Sequence, residues 1–110
     1  MRIELTHTLD RSDAIGRLDT FLDSVIAREW PNGIEVTGAH KQWAGSRMSF
    51  GFAVGKGGLG ASVDGTIDVE DGRVVLESPL PMLARVFIGE DRIREVVTRE
   101  LRRAIDGSGS

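Results

Sequence analysis

Two histidines, 17 carboxylates and 14 basic groups are the side chains of this 110-residue sequence that can move protons or hold a metal, and there is no cysteine. A transition-metal site would need both His7 and His40 together with carboxylates, and no His-x-x-x-His or similar spacing supplies that set. Asp64, Asp68, Glu70, Asp71 and Glu77 fall on one outward strand face. An acid/base pair requires one carboxyl in a dry environment and another in a wet one, so this cluster reads as a solvated face. Gly55, Gly57 and Gly60 spell G-x-G-x-x-G. That pattern cradles a pyrophosphate only where a helix starts behind it, and strand-like residues follow here. No Gly-x-Ser-x-Gly occurs, and nothing near Lys41 or Lys56 would activate an amine. No catalytic residue, cofactor or metal is expected, and the chain reads as a non-enzyme.

The remaining chemistry is apolar. Trp43, Phe50, Phe52, Leu80, Met82 and Phe87, with His7 as a polar group among them, are the candidate binding residues. His7 continues the alternation Ile3, Leu5, His7, Leu9 and so points between the sheet and the helices, where a half-buried ring donates to a backbone or carboxylate partner. Leu80 to Ile88 is an apolar bridge that packs as core, or stands exposed as an adhesive segment with Met82 and Phe87 near its ends. Arg92, Arg94, Arg99, Arg102 and Arg103 are interleaved with Glu95 and Glu100, the pattern of a solvated helix face laced with ion pairs.

The elements that must position these residues are legible from periodicity. Met48 to Val54, Ala61 to Val69 and Arg73 to Ser78 alternate as strands, and Asp71-Gly72 marks a hairpin between the last two. Gly55 to Gly60 is expected to be a flexible hairpin loop. Arg2 to Leu9 is a first strand; Asp10 or Ser12 caps a helix of about five turns whose stripe is Ile15, Leu18, Phe21, Leu22, Val25 and Ile26. Trp30-Pro31-Asn32-Gly33 ends that helix. Ile34 to Trp43 places Trp43 on the solvent face unless a bulge turns it inward. Such an irregularity is expected, because an exposed indole forfeits about 2–3 kcal/mol of burial. Glu90 to Asp106 forms the last helix, with Ile93, Val96, Val97, Leu101, Ala104 and Ile105 buried. The fold class is α+β: a single antiparallel sheet of about five strands with two helices packed on one face, in the order β-α-β-β-β-β-α. Residues 1–106 form one domain and 107–110 a disordered tail.

Composition narrows the partners. A net charge of −3 disfavours a nucleic-acid binder. The N-terminal residues lack a signal-peptide core and no stretch reaches the length of a membrane span, which fits a cytoplasmic protein, as does the lack of cysteine. Sheet edges and an outer face carrying Gly51, Ala53 and Val75 favour a homodimer.

A strand ending in His7-Thr8-Leu9, a helix with Ala14 and Leu18, a Trp43-x-Gly45 step into Met48-Ser49-Phe50, the strand Gly65-Thr66-Ile67, and Leu80-Pro81 before a final helix occur in that order. In this set the chain resembles the polyhydroxyalkanoic acid system family over nearly its whole length. The resemblance implies association with bacterial polyester storage granules, through the granule surface or its proteins, and implies no catalytic residue. Binding apolar polyester calls for an apolar patch, or for a groove between sheet and helix as in helix-grip lipid-binding folds. The alternative function is therefore a small apolar-ligand (acyl or lipid) carrier, its ligand held between Phe50, Phe52, Val63, Ile67 and Leu76 and the final helix. In so short a chain that cavity should be small.

Overall fold

In the computed structural model the described residues are 1–30, 33–79 and 89–106. The elements run β1 (Arg2–Thr6), α1 (Arg11–Leu18), α2 (Phe21–Ala27), β2 (Glu35–Ala44), β3 (Arg47–Lys56), β4 (Leu59–Glu70), β5 (Arg73–Glu77) and α3 (Glu90–Asp106). All five strands form one sheet, in the order β1-β5-β4-β3-β2, with every neighbouring pair antiparallel. The expected α+β class and antiparallel sheet are present.

Alternation fixes which face is buried. Ile3 and Leu5, Val74 and Leu76, Val63, Ile67 and Val69, and Met48, Phe50 and Val54 turn inward. Ala14, Leu18, Phe21, Leu22 and Val25 from α1 and α2, and Ile93, Val97, Leu101 and Ile105 from α3, close the same core from the other side. Each large aliphatic side chain so buried contributes about 1.5–3 kcal/mol relative to exposure, which holds the helices on this face.

Two local departures from the sequence reading shape the molecule. The five-turn helix is two helices, because Asp19 and Thr20 interrupt it. Thr20 Oγ1 donates back to the Arg17 carbonyl at 3.2 Å, and the Thr20 backbone is at φ −98°, ψ 0°. A threonine bonding its own preceding turn competes with the helical ladder. The apolar spacing continues across the break, so the pattern alone could not reveal it. Asp10 caps α1, its Oδ1 accepting from the Asp13 N–H at 2.9 Å.

The Gly55–Gly60 segment is not a long loop. Strands β3 and β4 extend to Lys56 and Leu59, and only Gly57 and Gly58 turn between them, at φ +57° and +86°. Two successive positive φ angles are the requirement of a tight hairpin turn, and two glycines meet it without strain. Leu59, beside that turn, is the one large hydrophobic residue strongly exposed among the described residues.

The irregularity expected in β2 is present. Thr37 pairs with Ala53 and His40 with Gly51, leaving Gly38 and Ala39 opposite Phe52 alone. Gly38 has φ +66°, the conformation a glycine bulge uses. The extra residue reverses the facing, so Lys41 lies opposite Phe50 and Trp43 opposite Met48, on the inner side.

The two sheet edges differ. Backbone groups of Met1 and His7 bond toward β5, as in Ser78 N–H to the Met1 carbonyl at 2.9 Å and His7 N–H to the Gly72 carbonyl at 3.0 Å. The even-numbered residues of β1 therefore present theirs to the free edge. Arg94 and Arg102 of α3 reach over and donate to the Arg2 and Thr6 carbonyls at 3.0 and 3.1 Å.

Candidate binding site

Between the helices and one end of the sheet lies an apolar cavity of about 30 Å³. Phe50, Phe52, Val63 and Leu76 form its sheet wall, Phe21, Leu22 and Val25 its α2 wall, and Ile93 and Val97 its α3 wall; Met1, Trp30, Val36, Val54 and Ser78 complete the described lining. Of the groove expected between the sheet and the last helix, Phe50, Phe52, Val63 and Leu76 line the cavity, whereas Ile67 is wholly enclosed in the core.

Phe50 owes its placement to a glycine. Gly65 pairs with Phe50, and a Cβ built on it would lie 2.7 Å from Phe50 Cζ and 2.6 Å from the Glu77 carbonyl oxygen. The bare backbone lets the ring lie flat across β4. Phe52 stacks on Phe50 with centroids 6.4 Å apart and planes 12° apart. Ser78, at the end of β5, is buried and donates from Oγ to the Asp64 carbonyl at 2.6 Å.

Trp30 supplies what the sequence reading missed. Its indole Nε1 is buried and is the one buried side-chain nitrogen or oxygen without a hydrogen-bond partner among the described residues. An N–H removed from water without an acceptor is destabilising by about 1–3 kcal/mol. The signal was available, since Trp30 lies four residues after Ile26 on the stripe of the preceding helix. Its position before Pro31 marked it instead as a helix end.

The other sequence candidates lie elsewhere. His7 Nε2 donates to the Glu70 carbonyl at 2.9 Å, and Nδ1 accepts from the Leu9 N–H at 3.1 Å. Both ring nitrogens are thus engaged on backbone, tying the end of β1 to the β4–β5 hairpin. Trp43 is half-buried rather than largely buried, and sits beside the α1–α2 break. Its Nε1 donates to Asp19 Oδ1 at 2.8 Å, and Lys41 Nζ lies 3.1 Å from the same oxygen while also donating to the Asp19 carbonyl. The Trp43 hydrogen bond first, and then Lys41, hold the Asp19 carboxyl below the usual aspartate range. Leu80, Met82 and Phe87 lie outside the described residues.

Ion pairs occupy part of the surface. On the outer face Arg47 meets Asp68 at 2.6 Å, Arg73 meets Glu70 at 2.8 Å, and Arg2 meets Glu77 at 3.2 Å. Val75 faces outward among these pairs yet is only 5% exposed. On α3, Glu100 does not belong to the solvated face assigned to it. It is buried between α2 and α3, with Arg28 Nη1 at 3.2 Å and Arg103 Nη1 at 3.7 Å. The described His, Asp and Glu side chains form no group of three suited to a metal. None of the described helices is long and apolar enough to cross a membrane.

Fold and cavity together define a small α+β protein with an open antiparallel sheet, helices on one face and an apolar recess between the two layers. The chain belongs to the polyhydroxyalkanoic acid system protein family, whose model matches residues 1–105. That membership ties it to the polyhydroxyalkanoate system. No curated protein matches the sequence.

Proposed function

We propose that the chain is a non-catalytic accessory or binding protein of polyhydroxyalkanoate storage granules, acting in the cytoplasm on the polyester surface or on a granule protein. The family match over residues 1–105 carries this reading. It is supported by the structural employment of the polar side chains: His7 is held by backbone, and the outer-face carboxylates Asp68, Glu70 and Glu77 are held by arginines. Purified protein mixed with isolated granules should sediment with them. If it stays in the supernatant at both low and high salt, direct granule binding is wrong.

A homodimer remains part of this proposal, with its interface moved to the outer sheet face. Arg94 and Arg102 occupy carbonyls of the β1 edge, and a bulge interrupts the β2 edge, both of which oppose strand-to-strand pairing. Sedimentation equilibrium giving a 12 kDa species at tens of micromolar would remove the dimer.

The cavity favours a second reading, a small apolar-ligand protein. Its lining is almost wholly hydrocarbon and aromatic, the composition of ligand sites, although such sites commonly measure about 300–1,000 Å³. Native mass spectrometry of protein from its own host tests this, and a spectrum free of any acyl species counts against it.

A further inference from the structure

We propose that two copies of the chain share one divalent metal ion of the zinc class, held by His40 and Asp64 of each copy between their facing outer sheet faces. The inference rests on the outer-face homodimer and names what joins it.

One row of the sheet builds half of the site. His40 pairs with Gly51 and Gly51 with Asp64, so the three stand abreast on β2, β3 and β4. A Cβ on Gly51 would lie 2.6 Å from His40 Nε2 and 2.6 Å from Asp64 Oδ1. An imidazole nitrogen and a carboxylate oxygen therefore lean from both sides over the same bare backbone, no further apart than twice that distance. Zinc holds such atoms at about 2.0–2.2 Å, so one ion can touch both after a small turn of two exposed side chains. Neither group is spent elsewhere. Arg2, Arg47 and Arg73 take up Glu4, Asp68, Glu70 and Glu77, which leaves Asp64 without a cation among the described residues. Both nitrogens of His7 are engaged on backbone, so His40 is the imidazole available to a metal.

Two ligands are half of a tetrahedral set, and one copy has no third. A two-fold axis through the row supplies a second His40 and a second Asp64. The dimensions allow it: packed sheets lie about 10 Å apart, so an ion midway is about 5 Å from each backbone, within reach of an aspartate and a metal–oxygen bond. Ser49, Ala53 and Ser62 beside the row are small, and let the faces come this close. Charge points the same way. With the arginines of the face matched, Asp64 and Glu35 leave it net negative, and two such faces repel unless a cation stands between them.

Untagged protein stripped with EDTA is taken to sedimentation equilibrium at tens of micromolar, with and without zinc sulfate, and the zinc stoichiometry is read by isothermal titration calorimetry. Zinc should bind at one ion per two chains and tighten the dimer at least about tenfold, while magnesium, which favours an all-oxygen shell, should do neither. His40→Gln and Asp64→Asn, each checked by circular dichroism, should lose the zinc effect. Gly51→Ala should lose it too, because its methyl fills the space over the row. A dimer equally strong in EDTA and in zinc overturns the metal bridge and keeps the dimer. One zinc per chain, or a zinc-driven dimer that survives both side-chain changes, overturns the site. A 12 kDa species under every condition removes the dimer and the bridge together.

Discussion

The Trp43 indole and the Asp19 carboxylate, 24 residues apart, meet at 2.8 Å and join the bulged edge strand to the break between the first two helices. The Gly38 bulge turns Trp43 inward, and the helix break presents Asp19 to it; Lys41 then takes the carbonyl that the break leaves open. Trp43→Phe keeps most of the packing and removes the hydrogen bond. Its urea midpoint, followed by circular dichroism, should report a loss of about 1 kcal/mol. Trp43→Ala should cost about 2–3 kcal/mol, below the range of about 3–5 for a fully buried aromatic, because this ring is half-exposed. A Trp43→Ala variant with an unchanged midpoint would show that the residue serves a partner instead.

Because the Asp19 carboxyl titrates below its ordinary value of 3.8, the folded state favours the ionised form more than the unfolded chain does. That contribution is complete above the ordinary value and is lost as pH falls through the lowered folded value. Asp19→Asn should therefore be less stable than the parent at neutral pH, and the two urea midpoints should converge in acid. In the parent, an NMR titration of the Asp19 carboxyl should place its midpoint below 3.8, and in Trp43→Phe the midpoint should rise.

Two strand glycines separate close approach to backbone from close approach to movable side chains. A Cβ on Gly51 would lie 2.6 Å from Asp64 Oδ1 and from the His40 ring, the far ends of two exposed side chains that can swing into water. A Cβ on Gly65 would meet the Glu77 carbonyl at 2.6 Å as well as Phe50. Gly51→Ala should stay within about 1 kcal/mol of the parent, whereas Gly65→Ala should cost about 2–3 kcal/mol and disturb the cavity wall. Equal urea midpoints for the two variants would refute this account of Gly65.

Glu100 is a buried carboxylate whose partners reach it from two helices. Glu100→Ala strands Arg28 against the helix interface and should cost about 1–3 kcal/mol, the lower part of the range for broken buried pairs because Arg28 is partly hydrated. Arg28→Met combined with Glu100→Leu should recover most of that loss, since an apolar pair of similar volume replaces the ions. Strictly additive losses in the double-mutant cycle would show that the two side chains are uncoupled.

What the sequence made legible follows from range. The strands, the Asp71-Gly72 turn and the stripe of α3 come from neighbours within a few residues, and their periods survive folding unchanged. The inward turn of Trp43 was legible because its size alone made solvent exposure costly. Glu100 was not, since its burial depends on Arg28, 72 residues away. The helix break at Asp19 escaped because Leu18, Phe21 and Leu22 keep helical spacing across it. In the cavity, Phe50 and Phe52 were found by alternation. Trp30 was missed because its place before Pro31 marked it as a helix end, although it lies four residues after Ile26 on the helix stripe.

The arginines at the β1 edge lead to the last prediction. Unpaired strand-edge carbonyls are a template for another chain, and here Arg94 and Arg102 cap those of Arg2 and Thr6 with charged donors from the last helix. Their guanidinium groups also place positive charge where an incoming strand would have to lie. Both side chains are exposed, so each hydrogen bond should stabilise the fold by no more than about 1 kcal/mol. The larger effect should be on association. Arg94→Ala with Arg102→Ala should remain folded by circular dichroism and show a concentration-dependent rise in sedimentation coefficient beyond that of the parent. Reintroducing a block on the same edge, by Glu4→Pro, should reverse that rise, because residue 4 faces the edge and its N–H is not used by β5. A double-alanine variant that sediments like the parent at every concentration would show that the arginines fasten α3 to the sheet and do not guard its edge.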